Sequence, residues 1–356
     1  MTALEFQGWA VAQFKLTSDA RVRIQCTPVH TFEIAGSIYA GDIYARNFAW
    51  AVLDLAKGSH ALRIHVKAKV HAQFSCTIER VSGDNELLAF PITNNAIPDV
   101  LDGKLPFDSP AIVAIPVLNT GRSWLHSVTA RVQSVGFKKT FKGSIETVPL
   151  PSSFPVSIAP GQTLVVDLRF ALTPPESEAW WRKRTDDDGA CVAFTVDVSG
   201  STADGASVTS NAIEIGLRCR RAGQSFVFTF VDHDGSVAHA AAIKPRRSCA
   251  RGGCPVMLTL SGVGATARSQ ADAYKFGDGK KGYLFGFEEI WVLAPNRDGA
   301  HNWCSCCLCR TLLNCDFVAT GKVRPTQRAA AGNRRVCCRF WVSLCANCSR
   351  ATRRAH

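Results

Sequence analysis

Several runs within the first 220 residues alternate apolar and polar side chains with a period of two, and helical periodicity is almost absent. The clearest run is His60–Val70, and Ala20–Cys26 and Phe74–Ile78 repeat the pattern. Alternation of this kind is typical of a strand with one face in a core. Residues 1–82 are therefore predicted to form a first β-rich domain.

A second group of strands is predicted beyond a linker. Residues 83–110 are rich in Asn, Asp, Pro and Gly, which is typical of a connecting segment. Short strands separated by turn clusters follow in residues 111–221, at a spacing that favours an antiparallel sandwich of the immunoglobulin or fibronectin kind. The predicted strands are Ala111–Leu118, Val128–Val135, Thr163–Phe170, Cys191–Val198 and Ala212–Cys219.

The pattern changes after Arg221. A predicted hairpin is followed by the apolar run Cys254–Leu260, which is expected to be a strand buried on both faces. A glycine-containing turn comes next, then the helix candidate Ala265–Phe276 and a second apolar run, Ile290–Ala294. This order is typical of the opening of an α/β sheet with crossover connections.

Residues 222–303 resemble the first half of an α/β-hydrolase domain of the prolyl-oligopeptidase-like serine peptidase and esterase type. The resemblance lies in PVMLTL running into a turn, and in IWVLAPNRDG at the end of the next strand. It implies N-terminal all-β sandwich-like domains followed by a C-terminally truncated hydrolase domain. It also implies an oxyanion hole at the turn Ser261, Gly262, Val263 and Gly264, where the family usually begins with His.

The motif that would supply a nucleophile is absent. No G-x-S-x-G occurs in the 356 residues, so the resemblance implies a chain without hydrolase activity. Its full-length relatives would act on a peptide or ester substrate, and no cofactor is expected. The alternative is a non-enzymatic binding protein with β domains and a zinc-binding cysteine tail.

The segment 304–356 differs in composition from the rest of the chain. It holds nine of the 15 cysteines and, with ten basic residues against one acid, +9 of the net charge of +12. Zinc could bind the C-x-x-C pairs Cys304, Cys307, Cys345 and Cys348, or a basic arm could contact nucleic acid. We favour a third interpretation, a segment translated in the wrong frame or through an intron, and so expect neither zinc nor nucleic acid.

Two further expectations concern disulfides and location. Cys249 and Cys254 close a short loop and could form a disulfide in an oxidising compartment. No signal peptide or membrane-spanning stretch is visible, so no membrane partner is expected. The compartment stays open: cytoplasmic by default, or secreted if the N-terminus is incomplete. The oligomeric state is also left open.

Overall fold

The computed structural model describes residues 6–43, 49–68, 73–83, 87–92, 96–107, 110–134, 144–148, 156–173, 190–221, 223–232, 235–247, 249, 253–260, 265–275 and 289–296. All of these except Gly253 belong to one compact unit, made of Met1–Cys249 and Cys254–Cys315. The second unit, Ala250–Gly253 with Asp316–His356, lies otherwise outside the described residues.

Strands dominate the described residues, of which 61% are in strands and 3% in helix. In chain order the strands are β1 Phe6–Leu16, β2 Ala20–Thr27, β3 Thr31–Ile34, β4 Ser37–Ala40, β5 Ala51–Leu55, β6 Gly58–Ala68, β7 Ser75–Arg80, β8 Leu87–Ala89, β9 Val100–Leu101, β10 Ala111–Asn119, β11 His126–Ser134, β12 Ser144–Thr147, β13 Thr163–Thr173, β14 Ala190–Ser201, β15 Ser207–Thr209, β16 Ile213–Arg220, β17 Phe226–Val231, β18 Val237–Ile243, β19 Val256–Leu258 and β20 Trp291–Pro295. The helix α1 spans Ala267–Asp272.

The first seven strands form two sheets around one core, which we call the first sandwich. One sheet has the order β1-β6-β3-β4 and the other the order β5-β2-β7. Alternate residues of each sheet point inward, so apolar side chains such as Ile24, Phe32 and Ile64 are buried together. A disulfide joins Cys26 of β2 to Cys76 of β7.

The next strands form a second sandwich with a larger core. Its sheets have the orders β12-β13-β10-β8 and β11-β14-β16-β9, and β15 pairs with β14. Phe170 of β13 and Phe194 of β14 meet in the core with ring centroids 5.2 Å apart. The segment 83–110 supplies β8 and β9 to these sheets, and a disulfide joins Cys191 to Cys219.

The last described strands form a separate sheet of order β17-β18-β20-β19, with α1 packed on one face. We call it the third sheet because it follows the two sandwiches. The pairs β17–β18 and β18–β20 are antiparallel, and β19–β20 is parallel. Ala267 and Ala271 of the helix are buried against Val227, Ile243 and neighbouring apolar residues of the sheet. Small side chains on the buried side let the short helix lie close to the strands.

The third sheet also contacts the second sandwich. The backbone N–H of Ile112 donates to the Thr229 hydroxyl at 3.3 Å. The ring of Phe107 packs edge-on against Phe228, with centroids 4.9 Å apart. Apolar and polar contacts therefore join the two sheet systems within the compact unit.

The α/β-hydrolase expectation is wrong, because the described fold is all-β with several sheets and one short helix. Of the apolar run Cys254–Leu260, only Val256–Leu258 forms a strand, and Val256 is 45% exposed rather than buried on both faces. The twelve-residue helix candidate contains a helix of six residues. The strands β19 and β20 do pair in parallel with α1 between them, but the other pairs of this sheet are antiparallel. A local apolar pattern does not specify the direction of the neighbouring strands.

In the parts of the chain that the structure describes, no helix has the length and apolar character needed to cross a bilayer.

Candidate functional site

Asp99 is the fully buried charge around which the candidate site is built. It lies immediately before β9, and its backbone N–H donates to the Val227 carbonyl at 2.8 Å. Its carboxylate Oδ2 accepts the N–H of Val227 at 2.7 Å. These two bonds fix the carboxylate between the second sandwich and the third sheet.

Three arginines converge on this carboxylate. Arg218 donates through Nε to Oδ1 at 3.1 Å, and Arg268 donates through Nη2 to both oxygens, at 3.1 and 2.7 Å. The Nε of Arg220 lies 3.8 Å from Oδ2. All three side chains are mostly buried, with 13–17% of their surface exposed.

Strand geometry places two of these arginines side by side. Arg218 and Arg220 occupy alternate positions of β16, so their side chains leave the same face of the sheet. Leu217 and Cys219 point to the other face and are buried in the core of the second sandwich. The parallel register of β16 with β9 brings this part of the strand beside Asp99.

The helix α1 supplies the third arginine. It begins after Thr266, whose hydroxyl accepts the N–H of Ser269 at 3.1 Å as an N-terminal cap. Ala267 and Ala271 are buried against the third sheet, and Arg268 reaches across to Asp99. The helix is therefore anchored on one side by alanine packing and on the other by an ion pair.

A cavity of about 450 Å³ lies over the arginine cluster. Near its edge, Asp272 accepts a hydrogen bond from the Ser225 hydroxyl at 2.7 Å and lies 3.8 Å from the Lys275 ammonium. The residues that line the cavity are Arg218, Arg220, Gln224, Ser225, Arg268, Asp272 and Lys275. We call this cavity, together with Asp99, the arginine pocket.

Among the described residues of the arginine pocket, basic groups outnumber acidic ones. The four basic side chains that line it face two carboxylates, Asp272 and the buried Asp99, which leaves a formal charge of +2. Burial lowers the pKa of the Arg268 guanidinium; Asp99 opposes this effect, and repulsion by Arg220 and Arg218 adds to it. The Nε of Arg268 is buried, with no hydrogen-bond partner among the described residues. The described part of the pocket is thus rich in basic groups that are mostly buried.

Guanidinium groups in such an arrangement are suited to anions. The planar fork of arginine matches the oxygens of a carboxylate or phosphate, and it stays charged at all physiological pH values. Because the surroundings are partly desolvated, an anion here would interact more strongly than at an open surface.

The site residues predicted from sequence do not coincide with this pocket. The turn Ser261, Gly262, Val263 and Gly264 lies outside the described residues, as do Cys304, Cys307, Cys345 and Cys348. The oxyanion and zinc hypotheses therefore stay predictions.

Other cysteines and possible metal ligands lie within the described residues. The structure places a disulfide between Cys249 and Cys254. Across the described ranges, no group of three or more His, Cys, Asp or Glu side chains is arranged to hold a metal ion.

Sequence reasoning missed the arginine pocket. The run LRCRR carried a signal, because Arg218 and Arg220 alternate with buried residues at the end of a predicted strand. Their partner Asp99 is 119 residues away from Arg218, and Arg268 is 169 residues away from Asp99. A pattern within one strand cannot reveal contacts over such separations.

Comparisons with known proteins assign no family. No family model matches the chain, and no curated protein matches it. Among solved structures, an exo-chitosanase, CsxA of Amycolatopsis orientalis, is similar at 15% identity and a TM-score of 0.28. The match covers 65% of this chain and 27% of that enzyme. A likeness this weak carries no argument about fold or function.

Proposed function

We propose that this chain is a non-enzymatic binding protein that holds a small anion of the phosphate or carboxylate type in the arginine pocket. The observation that carries the proposal is the convergence of Arg218, Arg220 and Arg268 on one buried carboxylate, Asp99, beside a cavity.

The size and the charge of the pocket support this class of ligand. A cavity of about 450 Å³ falls in the usual range for small-molecule sites. The described residues that line it include no aromatic or large apolar side chain, so they offer an apolar ligand no complementary surface. A dianion would neutralise the formal charge of +2 and could accept a bond from the buried Nε of Arg268.

The competing explanation is a purely structural ion network. In that case the arginines only fasten α1 and the third sheet to the second sandwich, and water fills the cavity. The two explanations differ in one respect: a structural network predicts no saturable gain in stability when an anion is added, whereas ligand binding does.

Isothermal titration calorimetry of the full chain with inorganic phosphate, and separately with citrate, tests the proposal. We expect saturable binding that weakens as salt rises, because the interaction is electrostatic. Arg268→Gln should weaken the binding at least about tenfold, the effect of losing one charge-assisted hydrogen bond. Lys275→Gln, at the exposed rim of the pocket, should weaken it by a smaller factor of about three.

The matched control is Arg63→Gln, which removes an exposed guanidinium paired with Glu33 in the first sandwich. It should bind as the wild type does. Circular dichroism separates loss of binding from loss of fold in Arg268→Gln, and Lys275→Gln tests the pocket without breaking the contact with Asp99. Absence of saturable binding at millimolar phosphate and citrate, or equal weakening by Arg63→Gln, would refute the proposal.

A further inference from the structure

A second feature with a bearing on function is the outer edge of β1 in the first sandwich. This strand pairs with β6 over eleven consecutive residues, from Phe6 opposite Ala68 to Leu16 opposite Gly58, with no bulge. It is the terminal strand of its sheet, and no other strand in the described ranges pairs with its second edge. The N–H and C=O groups along that edge are thus available to a further strand.

Apolar side chains are exposed along the same strand. Trp9 is 55% exposed and Val11 is 61% exposed, and both belong to the face of the sheet that points away from the core. Trp9 contacts the ring of His65 on β6, with centroids 5.2 Å apart. The tryptophan ring therefore contacts the neighbouring strand β6 on the outer face of the sheet.

The sequence of β1 lacks the features that usually prevent an edge strand from pairing with another chain. Protected edges are short, bulged, interrupted by proline or marked by inward-pointing charges. The sequence FQGWAVAQFKL contains no proline and a single charged residue, Lys15, next to its end. A regular, nearly uncharged edge of this length is a template for strand addition.

We propose that the β1 edge binds the β1 edge of a second copy of this chain. Two antiparallel β1 strands related by a twofold axis would join the two four-stranded sheets into one sheet of eight strands. With the twofold axis at Val11, the midpoint of the strand, the two Val11 side chains face each other and each Trp9 lies opposite Gln13 of the other copy.

Charge favours a second copy as the occupant. Antiparallel pairing places the two Lys15 residues at opposite ends of the joined strands, so no like charges face each other. Residues 1–303 carry 31 basic and 28 acidic residues, which leaves little net repulsion between the two bodies. Self-pairing of β1 therefore brings no like charges together along the strand.

The area of contact sets the strength that we expect. Eleven residues at about 3.3 Å each give an edge about 36 Å long, and a sheet is about 10 Å thick. The dimer would bury about 700 Å² in total, which is below the size of a standard specific interface. We expect a dissociation constant in the micromolar range, so that dimerisation depends on concentration.

Sedimentation velocity of the full chain between about 1 and 200 µM tests the proposal. The free thiols are first alkylated, because the nine cysteines of the segment 304–356 could otherwise crosslink copies. The wild type should shift from the 38.5 kDa monomer towards twice that mass as its concentration rises. Val11→Lys should raise the dissociation constant at least about tenfold, because it places two ammonium groups close together at the twofold axis.

The matched control is Ile38→Lys. Ile38 is 68% exposed on β4, at the opposite side of the same sheet, so the substitution makes the same chemical change away from the β1 edge. It should dimerise as the wild type does, and all three proteins should melt at similar temperatures. A wild type that stays monomeric at 200 µM, a Val11→Lys variant that dimerises normally, or equal weakening by Ile38→Lys would each overturn the proposal.

Discussion

At the scale of single residues, burial determines the protonation of Asp167. This residue lies on β13 opposite Ala114 of β10, and burial raises its pKa from 3.8 to about 6. Between about pH 4 and pH 6, Asp167 therefore keeps its proton in the folded chain, whereas the unfolded chain has released it. The contribution of Asp167 to the free energy of unfolding is therefore fully present at low pH and declines as the pH rises through this window.

Replacing Asp167 with Asn should remove this decline. Above about pH 6 the variant should be more stable than the wild type by about 1 to 2 kcal/mol, after allowance for solvent screening of a partly exposed group. Urea unfolding at pH 3.5 and pH 7 measures the difference. The difference should nearly vanish at pH 3.5, where the carboxyl group is protonated in the folded state and about two-thirds protonated in the unfolded state. A variant that is less stable than the wild type at pH 7 would contradict this explanation.

At the scale of elements, the three disulfides among the described residues close loops of very different length. Cys26–Cys76 spans 50 residues, Cys191–Cys219 spans 28 and Cys249–Cys254 spans five. Crosslinks stabilise a fold mainly by restricting the unfolded chain, and the effect grows with the logarithm of the loop length.

Removing the disulfides one pair at a time should therefore give a graded loss. Double Cys→Ala variants should lower the free energy of unfolding by about 4 kcal/mol for Cys26–Cys76, about 3 to 4 for Cys191–Cys219 and about 2 for Cys249–Cys254. Chemical denaturation of each variant gives these values, and alkylation with mass spectrometry verifies the pairing in the wild type. An inverted ranking would show that native-state strain or residual structure dominates instead.

How far the elements could be predicted depends on the range of the interactions that define them. The alternating run His60–Val70 corresponds to β6, and the apolar run Ala111–Leu118 corresponds to β10, because both follow from which side chains a local core must bury. The α/β-hydrolase domain expected after Arg221 was wrong: β19 and β20 are parallel across α1, but β17–β18 and β18–β20 are antiparallel. Strand direction depends on partners that a local pattern does not specify.

The candidate site could not be predicted for the same reason. Alternating arginines on a strand indicate only that one face is polar. Their function depends on Asp99, which reaches them through the parallel pairing of β9 with β16, and on Arg268 from a helix in another sheet system. Pairing over such distances is a property of the assembled fold.

At the scale of the whole molecule, Asp99 couples the second sandwich to the third sheet. Its backbone and side chain both bond to Val227 of β17, while its carboxylate holds arginines of β16 and α1. Since these contacts belong to elements of two sheet systems, the two should unfold together, whereas the first sandwich has a separate core.

Asp99→Asn should break this coupling. It removes the carboxylate charge that three buried guanidinium groups share, and breaking a buried ion pair in this way typically costs about 3 to 5 kcal/mol. Hydrogen exchange should accelerate in β17 and α1 and remain unchanged in β6 of the first sandwich. The matched control is Asp42→Asn, which alters a buried carboxylate that accepts a hydrogen bond from Gln25 at 3.0 Å within the first sandwich. That variant should accelerate exchange around β2 and leave β17 protected. Equal acceleration throughout the described strands in Asp99→Asn would mean that the whole unit unfolds as one, and that Asp99 does not specifically join the third sheet to the second sandwich.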